Sequence, residues 1–524
     1  MTWPLKLGGI QSPYQELSGF DRARNSKKPF NVTGSQCRRR KEMRNKLLIS
    51  AALAAVLAIP ALADDSQVTQ QGLNQNATVD QTGSFDALSV IDQSVQGNIA
   101  TVTQTDTATS ATSANVNESD ILQQGIANLA TVTQHNDAGQ GGATNTSDID
   151  QISSNAVATA DQSGSANEST IIQDTSGISV ADVTQDGGGN QSDVDQTGSD
   201  VTATVVQNSE NSVSSIYQTG NQETAMVSQA GDQQTSDVIQ SGGSDFVGVD
   251  QSGTLNTSMV EQTGFMGTIN VTQIGVGAGN TSNLLQSGTQ GTIIVSQEGD
   301  GNSVGGAGVF EQSADNTDAM ITQIGNGNSV IGFQAGSFNE AMITQNDDDN
   351  AVTLHQDGFN SSVVFVQSLA SNMAFITQLA SGTGNTIAGF QDGTSNTATL
   401  TQDGSDNGLT SNQTGAGNIS TISQSGASGT VFAAQFGTSN ESLITQSGFS
   451  NEANLSQTGA DNESEIIQTG TDGLVDVVQT AAGGYSYVSQ AGGSLNVVDV
   501  SQLSDDAYSS VMQLGSGNTA LVSQ

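Results

Sequence analysis

Side chains that could do proton, metal or nucleophile chemistry are few and scattered in this 524-residue chain. The single cysteine, Cys37, lies near the N-terminus, so no disulfide framework or paired-thiol site is available. The two histidines are His135, in an irregular stretch, and His355, directly before Gln356. An imidazole becomes a general base only when a partner orients it against a held substrate. Neither histidine has such a neighbourhood in sequence, and both read as solvated surface residues. Carboxylates are plentiful but spread evenly, as on a solubilising surface. The densest group is Asp347, Asp348 and Asp349, which with Asp300 falls in turn-like sequence. Ordinary charged-turn chemistry and weak Ca²⁺ binding both fit it. No EF-hand loop and no Gly-Asp calcium repeat is present. Sugar-cleaving solenoids need a base or cation in a groove, and from Asp64 onward there is no Lys or Arg. These residues predict no enzyme, no catalytic residue, no cofactor and no metal site.

The charge has the same message. All 11 Lys and Arg lie at or before Lys46. Of the 52 acids, three (Glu16, Asp21, Glu42) precede Asp64, which leaves 52 − 3 = 49 and a formal charge of −49 for 64–524. Such a polyanion is a poor partner for nucleic acid or for an anionic membrane surface.

The N-terminal sequence is a different kind of text. Residues 1–42 hold the only Trp, Trp3, and a basic run from Arg38 to Lys41. Met43 then opens MRNKLLISAALAAVLAIPALADD. Arg44 and Lys46 form a basic n-region, Leu47 to Ile59 an apolar h-region, and Ala61 and Ala63 flank the last step of a small-residue cleavage site. The apolar run is shorter than the roughly 20 residues of a membrane span. We therefore expect 43–63 to be a signal peptide cut after Ala63, with 1–42 a misassigned upstream extension or leader.

What must hold any functional residue in 64–524 is a repeat. Glutamines recur as a comb of 40 from Gln70 to Gln524, and 31 of the 39 intervals are eleven residues long. Between Gln391 and Gln490 the spacing never slips. Counting the opening Gln as zero, position two is usually Gly, five Asn, seven Ala or Ser, and nine Val, Ile or Leu. Positions five, seven, nine and eleven share one face of an extended strand, while six, eight and ten face water. The Gly-containing segment reverses the chain. Two units make one rung of strand, turn, strand, turn. The spacing thus predicts an all-β, two-sheet parallel β-solenoid of about twenty rungs over 64–524, grown by stacking rather than around one core. Absence of Pro after Pro60 suits uninterrupted strands. Asn should sit over Asn and Gln over Gln, each buried amide bonding the same amide one rung away. Longer intervals, Gln104 to Gln123 and Gln134 to Gln151, are expected as loops at rung corners. The Gly-rich insertions GVGAGN, GDGNSVGGAG and ASGTGN are expected in turns.

Units such as QSVQGNIATVTQ (93–104), QQGIANLATVTQ (123–134), QDGTSNTATLTQ (391–402) and QLGSGNTALVSQ (513–524) resemble the curlin repeat, Q-x-G-x-x-N-x-A-x-x-x-Q. That repeat characterises the subunits of curli, extracellular amyloid fibres of bacterial biofilms. The resemblance covers essentially all of 64–524, with far more repeats than familiar curlins carry. It implies a secreted structural subunit of a Gram-negative bacterium. Such a subunit leaves by the Sec route and a curli-type outer-membrane secretion pore, is seeded by a nucleator and polymerises with itself at the cell surface for adhesion and matrix. The ladder residues expected to carry self-assembly are Asn98, Gln104, Asn128, Gln134, Asn396, Gln402, Asn418, Gln424, Asn440, Gln446, Asn451, Gln457, Asn518 and Gln524. The competing reading is a monomeric secreted solenoid, an adhesin or an ice-binding protein, for which Thr397, Thr399 and Thr401 offer an outward threonine row. Units that mix Asp, Glu, Ser and Met at those positions break a flat array. A comb that runs to Gln524 favours an open, templating rung over a capped monomer.

Overall fold

The computed structural model describes residues 64–82, 87–106, 116–136, 144–275, 277–379 and 381–524. Among them there is no helix, and successive strands alternate between two parallel sheets. One sheet has 21 strands and the other 20. In the larger sheet Ser303–Val304 and Phe310–Gln312 are halves of one interrupted strand, since both pair with Thr281–Gln286. Each sheet therefore supplies 21 − 1 = 20 or 20 rungs. The two-sheet β-solenoid predicted from the comb is the fold.

Register follows the repeat. Thr397–Ser405 pairs with Ile419–Ala427 so that Ala398 lies on Ser420, Leu400 on Ile422 and Gln402 on Gln424. Ala398, Leu400 and Gln402 are buried, while Thr397, Thr399 and Thr401 are half-buried on the outer face. A slip of one residue would turn every buried side chain outward, so the alternation itself fixes the pairing. The aliphatic column of one sheet runs through Ile149, Ile171, Val194 and Ile216 and faces Ala160, Val183, Val205 and Val227 of the other, all in one continuous core. Each such burial contributes about 1.5–3 kcal/mol relative to exposure. Size changes are absorbed between neighbouring rungs. Buried Phe310 aligns with Gly332 and buried Phe365 with Gly389, and a Cβ at either glycine would collide with the ring.

In the regular turns Gly404, Gly426, Gly448 and Gly470 stack with φ of 103°, 112°, 104° and 146°. A Cβ on each of the first three would run into the carbonyl of the next glycine in the stack. Left-handed φ and close backbone approach together demand glycine here.

Two of the three Gly-rich insertions lie in turns, before Thr281–Gln286 and before Thr386–Thr394. The third corrects the expectation. Its GDGN half lies in a turn, but its closing GGAG interrupts a strand, with Gly305 to Val309 looping out between Val304 and Phe310. Pairing of Ser282 with Val304 and of Leu284 with Phe310 leaves one paired residue, Asn283, opposite that loop. Stacking of Phe310 over Leu284 restores core register, and the extra residues loop out of the strand. The two longest intervals fall mostly on 107–115 and 137–143, which lie outside the described residues.

Candidate self-assembly ladder

The glutamines close the rungs. In the first sheet a chain of side-chain hydrogen bonds runs from Gln70 to Gln513, each Nε2 donating to Oε1 of the glutamine one turn on, at 2.7–3.2 Å. The second sheet has the same chain from Gln81 to Gln524; its last link, Gln502 to Gln524, is 3.5 Å. In most rungs the remaining Nε2 hydrogen crosses to the opposite sheet, as in Gln435 to the Ile419 carbonyl at 2.9 Å and Gln446 to the Thr430 carbonyl at 3.1 Å. Each ladder bond contributes a net of about 1 kcal/mol, but leaving one partner orphaned costs about 1–3 kcal/mol. Every link points the same way, so the array is polar from end to end.

Gln402, Gln424 and Gln446 belong to the first column, and Gln104, Gln134, Gln457 and Gln524 to the second. All are buried except Gln524, which is exposed in the last rung. The asparagines form two further columns at the turns. Asn396, Asn418 and Asn440 share one, and Asn98, Asn128, Asn451 and Asn518 belong to the other. Their bonding differs from the amide-on-amide ladder expected. Asn mainly ties side chain to backbone. Asn98 Oδ1 accepts the Asn128 N–H at 3.0 Å, and Asn451 Nδ2 donates to the Ser447 and Gly470 carbonyls at 2.8 and 3.1 Å. Amide-to-amide contact is added in some turns only, as from Asn418 to Asn396 and from Asn440 to Asn418, both 3.1 Å, and from Asn518 to Asn496 at 3.2 Å. The physical reason is reach. The shorter side chain sits beside the turn and meets unpaired backbone groups first, so Asn pins the corner and Gln spans the rungs.

Two consecutive rungs carry an acid at this corner. The position held by Asn407 or Asn451 elsewhere is Glu223 and then Asp245, both essentially fully buried. Glu223 Oε2 accepts the Gly220 N–H at 3.0 Å and Asp245 Oδ1 the Gly267 N–H at 2.9 Å. Their other oxygens, Glu223 Oε1 and Asp245 Oδ2, have no hydrogen-bond partner. Burial pushes the Glu223 carboxyl up to about 7, with Asp245 adding to the rise and the amides of Gly220 and Gly242 opposing it. Burial likewise raises Asp245 against the amides of Gly267 and Gly243. Sequence reading missed this pair. The signal was present as an acid at position five of QTGNQETAMVSQ and of QSGGSDFVGVDQ.

Carboxylates on the outer faces also crowd. Asp193 is raised to about 6 by burial and then by Asp195 and Glu168. Burial first, then neighbouring acids, raises Asp161, Asp237 and Asp476 too.

The other chemistry-bearing residues lie apart. His135 Nδ1 is 2.9 Å from Thr105 Oγ1, and His355 is exposed with its ring edge-on to Phe333 at 5.4 Å. Asp347, Asp348 and Asp349 form a turn, where Asp348 Oδ1 accepts the Asn326 N–H at 2.8 Å. Asp300 does the same for Gly277, also at 2.8 Å. Among the described residues no group of three or more His, Cys, Asp or Glu could hold a metal ion. Cys37 and the expected cleavage residues Ala61 and Ala63 lie outside the described residues.

Compared with known families, the curlin associated repeat matches at three places, residues 244–275, 314–346 and 437–470. The first match spans Phe246–Thr254, Thr257–Gln262 and Thr268–Gly275, one full rung and the strand that follows it. No curated protein matches the chain.

Proposed function

We propose that this chain, which the curlin associated repeat matches at three places, is a secreted subunit that polymerises head to tail into a curli-like amyloid fibre. The observation that carries this reading is the polarity of the amide ladders. In the first described rung the oxygens of Gln70 and Gln81 have no glutamine before them from which to accept, and the last rung presents the nitrogens of Gln513 and Gln524. One end thus offers acceptors and the other donors, so only head-to-tail stacking continues both columns. The apolar core is open in the same sense. Ala77 and Val79 at one end and Ala520 and Val522 at the other pack on the core yet are only partly buried. A strand edge with unpaired backbone and a half-covered core is a template for another chain, and a head-to-tail contact that does not close makes a filament.

The ladder residues named from sequence, Asn98 through Gln524, are in this reading the groups that set register within and between subunits. The curlin repeat is a structural rather than an enzymatic unit, in keeping with a fibre subunit. Export after cleavage at Ala63, passage through a curli-type outer-membrane pore, seeding by a nucleator, and a place in adhesion and biofilm matrix outside a Gram-negative cell complete the proposal. The ice-binding alternative has no support of its own. The Thr397, Thr399, Thr401 row is flanked by Met373, Phe375 and Thr377 and by Ile419, Thr421 and Ser423, which is not a regular threonine array.

Electron microscopy with fibre diffraction of the protein cut after Ala63 tests the reading. Unbranched fibres with reflections near 4.7–4.8 Å and about 10 Å are expected. A solution that stays monomeric under seeding and at high concentration would contradict it.

A further inference from the structure

The Asn positions show what this corner of the solenoid requires. Asn407 and Asn451 each use Nδ2 to donate to the turn carbonyl nineteen residues on, Gly426 and Gly470, at 3.2 and 3.1 Å. Their Oδ1 atoms accept the N–H of the equivalent residue one rung later, Gly429 and Gly473, at 2.9 and 3.0 Å. Asn thus brings one side-chain donor and one acceptor to this corner. Glu223 and Asp245 occupy this position in consecutive rungs, and the carbonyls corresponding to Gly426 and Gly470 are those of Gly242 and Gly264. An ionised carboxylate keeps the acceptor role, as the Asp245–Gly267 bond shows. It has no hydrogen to donate. The oxygen left over on each acid is buried and unpartnered. Both carboxylates are pressed against the turn, since a Cβ at Gly220 or Gly242 would collide with them.

No cation answers these charges, because 64–524 has no Lys or Arg. A bound metal ion is a poor fit too. The Gly220 and Gly267 N–H groups bond the carboxylates, and the nearby amides of Gly242 and Gly243 also favour an anion and repel a cation. The only other titratable group that faces Glu223 is Asp245. On the neighbouring strands and turns, Asp200, Tyr217, Asp232, Asp237, Asp250 and Glu261 all lie on the outer surface.

We propose that Glu223 and Asp245 form an acid-closed latch, in which a proton taken up by the buried pair supplies the missing donor and locks the rungs from Gln218 to Gly267. Proton uptake restores what Asn407 and Asn451 provide by chemistry. Proton loss leaves two stacked buried anions, and the Gly242 and Gly264 carbonyls keep only the backbone N–H groups of Asn221 and Gly243, so this stretch opens first. A chain exported at neutral pH would carry a soft point in its middle that hardens on acidification, independently of charge on the outer faces. The inference concerns the folded solenoid and holds whether or not the solenoid polymerises.

The sign is set by linkage. An acid whose folded value is raised binds its proton more tightly folded than unfolded, so stability falls as pH climbs. For Glu223 the window runs from the ordinary 4.5 to about 7.

The test is hydrogen exchange by mass spectrometry on the full chain at pH 5 and pH 8, corrected for intrinsic rates, with infrared spectroscopy at pH 6. In the wild type, peptides covering 219–246 should lose at least tenfold in protection at pH 8, while peptides covering 397–427 should change little. The Glu223→Gln, Asp245→Asn double variant should show no such local loss. The infrared band of buried protonated carboxyls should be weaker in Glu223→Gln than in the wild type, with groups such as Asp193 giving the remainder. Equal pH dependence in the double variant, or no local dependence in the wild type, would overturn the latch. So would a protonated-carboxyl band of unchanged intensity in Glu223→Gln. Failure of the chain to form fibres would leave all these readouts intact.

Discussion

The turn from the first sheet to the second is built in two ways, although five residues separate Gln from the corner position in both. Between Thr397 and Thr471 the strands run on through the turn, as in Thr397–Ser405, Ile419–Ala427, Glu441–Phe449 and Glu463–Thr471, with stacked left-handed glycines. Between Gln191 and Gln286 they stop at the glutamine, as in Val213–Gln218, Thr235–Gln240 and Thr257–Gln262. There Gly198, Gly220, Gly242 and Gly264 lie outside the left-handed region, and pairing resumes only as isolated bridges such as Ser199 to Asn221 and Asn221 to Gly243. The corner residues differ in parallel: Asn407, Gly429, Asn451 and Gly473 in the first stretch, Val201, Glu223, Asp245 and Gly267 in the second. An Asn amide captures turn carbonyls and holds the glycine peptide in the ladder. In the second stretch the Gly220 N–H meets Glu223 instead. Gly429 and Gly473 follow the Asn geometry because each donates its N–H to the Asn one rung before. Asn alone does not decide the turn, since Asn117–Gln123 and Met373–Gln378 stop at the glutamine although Asn128 and Asn385 hold their corners.

The largest blow to this contrast is removal of the regular stretch's own ladder. Replacing Gln413, Gln424, Gln435 and Gln446 together with Leu orphans buried amides above and below, at about 1–3 kcal/mol each. Guanidinium unfolding should show the stretch becoming less protected than 191–286, and assembly should slow severely. Unchanged kinetics would mean that Ile422, Ile444 and their neighbours hold register alone.

Exchanging the corner chemistry should weaken the regular turn. Asn407→Glu places an unpaired buried carboxylate in the regular stretch and should cost about 1–3 kcal/mol at pH 8, and less at pH 5. Hydrogen exchange across 403–429 reads it. If protection there is the same at both pH values, the corner residue does not govern the turn.

Outer-face charge should act more broadly and more weakly per group. Asp193, held near 6, and the raised Asp161, Asp237 and Asp476 bind protons more tightly folded than unfolded, so lowering pH from 8 to 5 favours the solenoid. Rungs lie closer together than the Debye length of about 8 Å at physiological salt. Thioflavin-T lag times should therefore shorten in acid and in added salt. A lag that lengthens in both would show that repulsion between rungs does not limit assembly.

The smallest effect concerns buried serines. Ser192 and Ser214 have hydroxyls without partners, whereas Ser442 donates to Ser420 at 3.1 Å. Ser192→Ala and Ser214→Ala should be neutral or stabilising by up to about 1 kcal/mol, and Ser442→Ala mildly destabilising. Thermal unfolding of the three variants separates them.

Much of this was legible in sequence because the comb carries its own parity. Gln402, Leu400 and Ala398 could only face one way, and the Gly at position two could only be a turn. The role of Asn was half-legible. Its burial followed from parity, but its bonding depended on backbone groups that a strand pattern does not display. The site of Gly305 to Val309 was hidden because glycine content marks a loop without saying which side of a core residue it falls on. The two turn types were hidden for a similar reason. Interval length is the same in both, and only the chemistry at position five distinguishes Glu223 from Asn407.

Head-to-tail growth is tested most directly by a cross-link between ends. Asn76 and Thr519 are both first strand positions of the second sheet, in its first and last rungs. In a continuous stack they become neighbours across the junction, about 4.8 Å apart, within the Cα range a disulfide spans. A Cys37→Ser, Asn76→Cys, Thr519→Cys chain, assembled under reducing conditions and then oxidised, should give a ladder of covalent multimers on denaturing gels, while either single cysteine gives none beyond dimers. Fibres that form normally but yield only monomers after oxidation would contradict head-to-tail stacking of the ladders.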